Sequence, residues 1–196
     1  MKNSLFIFFT LISNLAFSQQ DSIYVVETPI YLVHYSATKQ QPLRLEYVVQ
    51  CPSRGVERTG DFWYDSRFIT SDGYDYRDNE WDKGHLAPAA SFNCTEEMLK
   101  MTFSYLNCAL QHESLNRGSW ARLERFERDL AKFYNVRVVV EVLFDDNCEI
   151  LETGATVPSG FIKTIKWDNH KESFYFPNED TTGKDWYDFR TEKVID

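Results

Sequence analysis

The chain has 196 residues, a formal net charge of −9 at pH 7, and 16% aromatic residues against eight glycines and six prolines. This composition excludes disorder and low complexity, and with no internal repeat or Ser/Gly linker it points to one domain with a sizeable core. The acidic balance argues against broad non-specific phosphate binding, so a polyanionic partner would have to meet a local basic strip or a bound cation.

The N-terminal stretch MKNSLFIFFTLISNLAFS carries one cation, Lys2, then a mostly apolar run over 5–12 and a small or polar end at Ala16, Phe17 and Ser18. That is the pattern of a cleavable secretory signal peptide, with cleavage near Ser18/Gln19. The alternative is an N-terminal membrane anchor, for which the apolar run is short. The expected organisation is a signal peptide over 1–18 and a single soluble domain over 19–196, secreted or periplasmic and free of the membrane after processing. Four cysteines (Cys51, Cys94, Cys108 and Cys148) allow two disulfides in three connectivities in an oxidising compartment. A Cys94–Cys108 bridge across a short helix is one candidate. Zinc competes, but no Cys-x-x-Cys or His-x-x-x-His spacing supports it.

Residues 23–49 alternate or run with β-branched and aromatic residues and predict strands, with His34 on a strand face. Residues 52–80 are polar and read as a long excursion, a length that is uncommon and often functional. Thr95 is a plausible cap for a helix beginning in NCTEEMLKMT. FSYLNCALQ reads as a short buried strand. The strongest helix lies in LNRGSWARLERFERDLAKFY, where Leu115, Leu123, Phe126, Leu130 and Phe133 recur at helical spacing. Strands follow over 136–144 and around 160–167 and 172–176. The sum is an α+β domain on an antiparallel or mixed sheet with one long helix.

Two stretches carry chemistry. On an i, i+4 ridge the long helix aligns Asn116, Trp120, Glu124 and Arg128. By itself this is a solvated face with a Glu124–Arg128 pair, and Asn116 is an N-cap. In EWDKGHLAPAASF, His85 is a base, a metal ligand or a packed ring. Taken together they offer more. An amide oxygen and a carboxylate form a sparse shell for a hard cation that keeps its waters and binds phosphate oxygens. A neutral histidine nearby can take a proton from water, and Lys83 meets phosphate as a point charge. These are the parts of one-metal phosphodiester hydrolysis.

Asp82-Lys83-Gly84-His85, followed by Asn107, Gln111, Asn116, Glu124 and Arg128, resembles the DNA/RNA non-specific endonucleases of the ββα-metal (His-Me finger), endonuclease G-like type. Upstream, Arg58, Phe62 and Asp65 are similar to the family's Arg-x-x-x-Phe-x-x-Asp segment. GATVPSGFIKTIK is similar to its strand after a Val/Ile-Pro. The resemblance is dense from Arg58 to about Tyr134, thins toward Lys166, and says little of the N-terminal strands and the tail. It implies a ββα nuclease core with His85 as general base and Asn116 as direct ligand of one Mg²⁺ or Mn²⁺. Glu124 would orient a metal-bound water, and Lys83, Arg58 and Arg128 would neutralise phosphate charge. Asp82 and Asn107 would hold the site from behind. DNA and RNA are the expected substrates, cut through sugar-phosphate contacts, with a homodimer left open.

Two departures stand out. Lys83 replaces the family's usual Arg, keeping the charge and losing the planar fork, and Leu110 replaces the usual Pro before Gln111. The competing reading is a catalytically weak or inactive binding module for nucleic acid or another partner on the same fold. Such a module has no need to keep His85, Asn116 and Glu124 in register. His112 has no counterpart in the family pattern and reads as a surface or structural residue, and His170 sits in the polar turn WDNHKES.

Overall fold

The structure, a computed structural model, describes residues 21–53, 55–58 and 60–192. The expected signal peptide lies outside them. Seven antiparallel strands form the main sheet: β1 (Ile23–Glu27), β2 (Tyr31–Ser36), β3 (Gln41–Val48), β6 (Val136–Leu143), β7 (Gly160–Trp167), β8 (His170–Pro177) and β9 (Arg190–Thr191), in that spatial order. The central strand β6, with the sequence VRVVVEVL, forms because β-branched residues suit a pleated buried surface. Val136, Val138, Val140 and Val142 point to one face and are buried there with Leu45, Tyr47, Phe161, Ile165 and Phe174. Leu115, Trp120 and Leu123 of the helical stretch are buried in the same core.

A second sheet of two strands pairs β4 (Trp81–His85) with β5 (Cys108–His112), and β5 runs directly into the helical stretch. Strand, strand and helix thus build a ββα unit on an α+β framework, as the resemblance implied. Between the two strands lies α1 (Glu96–Thr102), whose N-cap is Thr95, accepting from the Met98 N–H.

The long helix is not one continuous ridge. It opens with a turn, α2 (Glu113–Leu115), passes through a π-helical segment (Asn116–Trp120) and becomes regular only in α3 (Ala121–Ala131). Gly118 leaves helical values within the π segment, at φ −103° and ψ −110°. A π segment shifts the phase of everything before it, and such segments recur at functional sites. The π segment therefore takes Asn116 off the expected ridge, while Trp120, Glu124 and Arg128 keep their i, i+4 spacing. Trp120 is fully buried between Phe161 and Phe176, with ring centroids at 5.5 and 5.4 Å. Asn116 is not the N-cap either: the His112 ring accepts from the Ser114 N–H in that role. Phe133 also departs from the expected apolar stripe. The helix ends at Ala131, and Phe133 is 81% exposed.

The described residues among 52–80 form no paired strand and are held by turns and aromatic contacts, with one bridge from Trp63 to Ser104. Cys51 pairs with Cys94, a separation of 43 residues, while Cys108 and Cys148 are free. The candidate Cys94–Cys108 bridge is thus replaced. Cys108 lies buried in β5, opposite His85 in the ladder, and donates to the Tyr76 hydroxyl.

Candidate active site

Where β4 meets the start of the helical stretch, a cavity of about 420 Å³ is lined by Arg58, Phe62, Tyr76, Trp81, Asp82, Lys83, Asn116 and Arg117. Four of these walls were expected as functional residues: Arg58, Asp82, Lys83 and Asn116. The excursion over 52–80 supplies Arg58, Phe62 and Tyr76, so the segment without regular structure builds one side of the cavity.

Asp82 joins hairpin to helix. Its Oδ2 accepts from Asn116 Nδ2 at 2.9 Å and from Arg117 Nε at 2.8 Å, and its Oδ1 accepts from Arg117 Nη2 at 2.7 Å. Arg117 also pairs with Glu113 one turn earlier, at 2.8 Å. These bonds fix the Asn116 amide through its nitrogen, and no described residue bonds to its Oδ1. Arg117 was missed from sequence. Its signal is the i, i+4 spacing from Glu113 and its place beside Asn116.

Gly84 is required by packing. A Cβ there would stand 2.4 Å from Gln111 Oε1 and 2.6 Å from Gln111 Cβ, so the glycine lets the buried Gln111 lie across β4. Asn107 ties the residues after His85 to the end of α1. It accepts from the Ala87 N–H at 2.8 Å and donates to the carbonyls of Ala87 and Thr102, both at 2.9 Å.

His85 sits behind the Phe62 ring, 4.9 Å between centroids, with Phe103 edge-on at 5.2 Å. Its Nε2 is buried and has no partner among the described residues. Burial, and then the charge of Arg58, push its pKa down to about 3, so the ring is neutral at ordinary pH. Lys83 reaches between the rings of Phe62, Tyr76 and Tyr105, at 5.3, 5.8 and 5.8 Å, and Arg58 lies over Phe103 at 5.1 Å. Among the described residues neither cation has an ion-pair partner. Aromatic faces hold both without neutralising them.

Glu124 and Arg128 do not line the cavity. Both are half-buried further along α3. Burial pushes Glu124 up to about 7 against the pull of Lys163, with Glu127 adding to the rise and Arg128 opposing it. Arg128 Nη1 is buried without a partner among the described residues. Asp65 stands apart, chelated by Arg67. His112 is a helix cap and His170 stacks on Trp167 at 5.3 Å.

Among the described residues no three His, Cys, Asp or Glu side chains gather to form a metal cage. The donors present suit a different occupant: a hard cation held by few protein oxygens that retains most of its water. The oriented amide of Asn116 beside the two unpaired cations fits that description.

The family model described as DNA/RNA non-specific endonuclease matches residues 11–194. Human mitochondrial endonuclease G is 39% identical over 71 residues, 36% of this chain and 24% of that protein. The nuclease of Serratia marcescens is 32% identical over 120 residues, 56% of this chain and 45% of that protein. Each match thus spans less than half the length of the relative. A solved structure of the EndoG/EndoGI complex superposes with a TM-score of 0.77 at 25% identity, covering 85% of this chain and 79% of that one.

Proposed function

The chain belongs to the DNA/RNA non-specific endonuclease family, and on that premise we propose that it is an exported endonuclease that uses one Mg²⁺ or Mn²⁺ and hydrolyses DNA and RNA without reading bases. The observation that carries this reading is a neutral His85, unpartnered among the described residues, together with an Asn116 amide fixed by Asp82, beside a cavity in which Lys83 and Arg58 have no ion-pair partner among the described residues.

Asn116 Oδ1 would hold the ion directly and Glu124 would reach it through water. When bound, the cation offsets phosphate charge and stabilises the leaving oxygen. The residues of the chain do the rest. Lys83 and Arg58 draw the phosphate into the cavity as charges, with no contact to a base edge. His85 accepts the proton of the attacking water at a ring nitrogen. Asp82 and Asn107 keep the amide and the His85 segment in place. Phosphate arriving at Arg58 also offsets the charge that helps to depress His85, which strengthens the base when substrate is present.

Export is supported by the N-terminal apolar pattern and by the Cys51–Cys94 disulfide, which suits an oxidising compartment. Among the described residues no helix is long and apolar enough to cross a membrane.

Supercoiled plasmid and structured RNA, incubated with the protein cleaved near Ser18, test the reading. Both polymers should be cut in Mg²⁺, and EDTA should abolish the cutting. His85→Ala should lower the rate by roughly 100-fold or more. A folded protein that cuts neither polymer in Mg²⁺ or Mn²⁺ would instead be a binding module on this fold.

A further inference from the structure

We propose that Lys163 is a positioning residue for Glu124, acting from the centre of the main sheet; the proposal rests on the nuclease reading above. Lys163 stands on β7 and is fully buried. Its ammonium is 2.7 Å from Glu127 Oε1, an ion contact, and 4.2 Å from the centroid of the Trp120 ring. The backbone is α-helical from Trp120 onward. Trp120, Glu124 and Glu127 therefore fall at i, i+4 and i+7 on one stripe of the helix. A group that touches the first and the third lies beneath the second.

The surroundings show why a cation is needed there. Two carboxylates one turn apart on a buried helix face repel each other. The Tyr47 hydroxyl from β3 donates to Glu127 Oε2 at 2.6 Å, so the oxygens of Glu127 are divided between Tyr47 and Lys163. Held in this way, Glu127 cannot swing toward the site. The ammonium offsets both carboxylates, and with Glu127 tied down its charge also acts on Glu124.

Packing alone gives no reason for a lysine at this position. The neighbouring side chains on the same face of β7 are Phe161 and Ile165, both fully buried. Replacing a buried ion pair by apolar residues is often neutral or stabilising. The pair serves the helix above it.

The test uses the whole mature protein. Lys163→Met alone strands the Glu127 charge at a cost that threatens the fold, so the decisive variant is Lys163→Met combined with Glu127→Gln, which removes both charges and keeps an acceptor for Tyr47. This paired variant should melt within a few degrees of the wild type. It should nevertheless lose about 10- to 100-fold in kcat on plasmid DNA with little change in KM, and bind Mn²⁺ about tenfold more weakly by electron paramagnetic resonance titration. Introduced together with Glu124→Gln, the same pair should change kcat by less than about threefold, because a residue that acts through Glu124 has nothing left to act on. Wild-type turnover and Mn²⁺ affinity in the paired variant would overturn the proposal. An equal loss in the Glu124→Gln background would overturn it too. A wild-type protein that neither cuts nor binds Mn²⁺ would remove the nuclease reading, and this proposal with it.

Discussion

His85 and Glu124 are pushed in opposite directions by the same burial. Desolvation disfavours whichever form is charged, so the imidazole falls to about 3 and the carboxyl rises to about 7. Both shifts are also statements about stability. With its folded pKa depressed, His85 contributes stability that is complete above about 6.5, its ordinary value, and is lost as pH falls toward 3. With its folded pKa raised, Glu124 contributes stability that is complete below about 4.5 and is lost as pH climbs through 7. The melting temperature of the protein in EDTA should therefore fall on both sides of a maximum between these limits. Glu124→Gln should flatten the alkaline limb and His85→Gln the acid limb. A melting temperature in Glu124→Gln that still drops from pH 5 to 8 as steeply as in the wild type would contradict the burial of that carboxyl.

The β4–β5 hairpin shows what local sequence specifies and what it does not. The motif Asp82-Lys83-Gly84-His85 was readable, yet the purpose of its glycine was not, because the atom that excludes a side chain belongs to Gln111 on the partner strand. Gly84→Ala should destabilise the fold by about 1–3 kcal/mol, since a methyl group forced against a buried side chain moves the strands apart. Adding Gln111→Ala should restore part of that loss. Thermal melts of the two variants decide the matter, and an unchanged melting temperature in Gly84→Ala would show that Gln111 has room to move. The same limit explains the other misreadings. Period and β-branching announced the strands and the helix, because those signals lie within one element. The break at Gly118 was not visible, since a helical periodicity counts residues and cannot register an inserted π turn. Asn116 therefore does not share the ridge of Glu124 and Arg128, and Trp120 is claimed by the sheet, which periodicity within one helix does not register. Tyr76, Trp81 and Arg117 entered the cavity unannounced for a related reason: their roles depend on what folds against them.

At the scale of the molecule, the Cys51–Cys94 disulfide ties together the part of the chain that regular structure does not. Its 43-residue loop encloses the whole excursion and β4, and hence Arg58, Phe62, Tyr76, Asp82, Lys83 and His85. The described part of the excursion is held by individual contacts: the Ser71 N–H donates to the Tyr35 hydroxyl, and the Thr153 hydroxyl donates to Asp75. Trp63 exchanges backbone hydrogen bonds with Phe103 and Tyr105, and Asn93 accepts from the Val56 N–H. Cysteine spacing left three connectivities open, and the pairing follows from where β3 ends relative to α1, a tertiary fact. Closing a loop of this length restricts the unfolded chain by about 4 kcal/mol in the chain-entropy account. It also holds two unpaired cations near each other in a chain whose net charge is −9. Cys51→Ser with Cys94→Ser should lower the melting temperature markedly. More tellingly, it should expose residues 52–80 to proteolysis while the strands of the main sheet stay protected, because local opening begins where buried contacts are fewest. If the protein is the nuclease proposed here, KM for plasmid should rise further than kcat falls. Arg58 would be displaced, whereas Asn116 and Glu124 remain anchored to the sheet through α3. Digestion that starts instead within the main sheet would mean that the disulfide staples the core itself and that the excursion needs no tether.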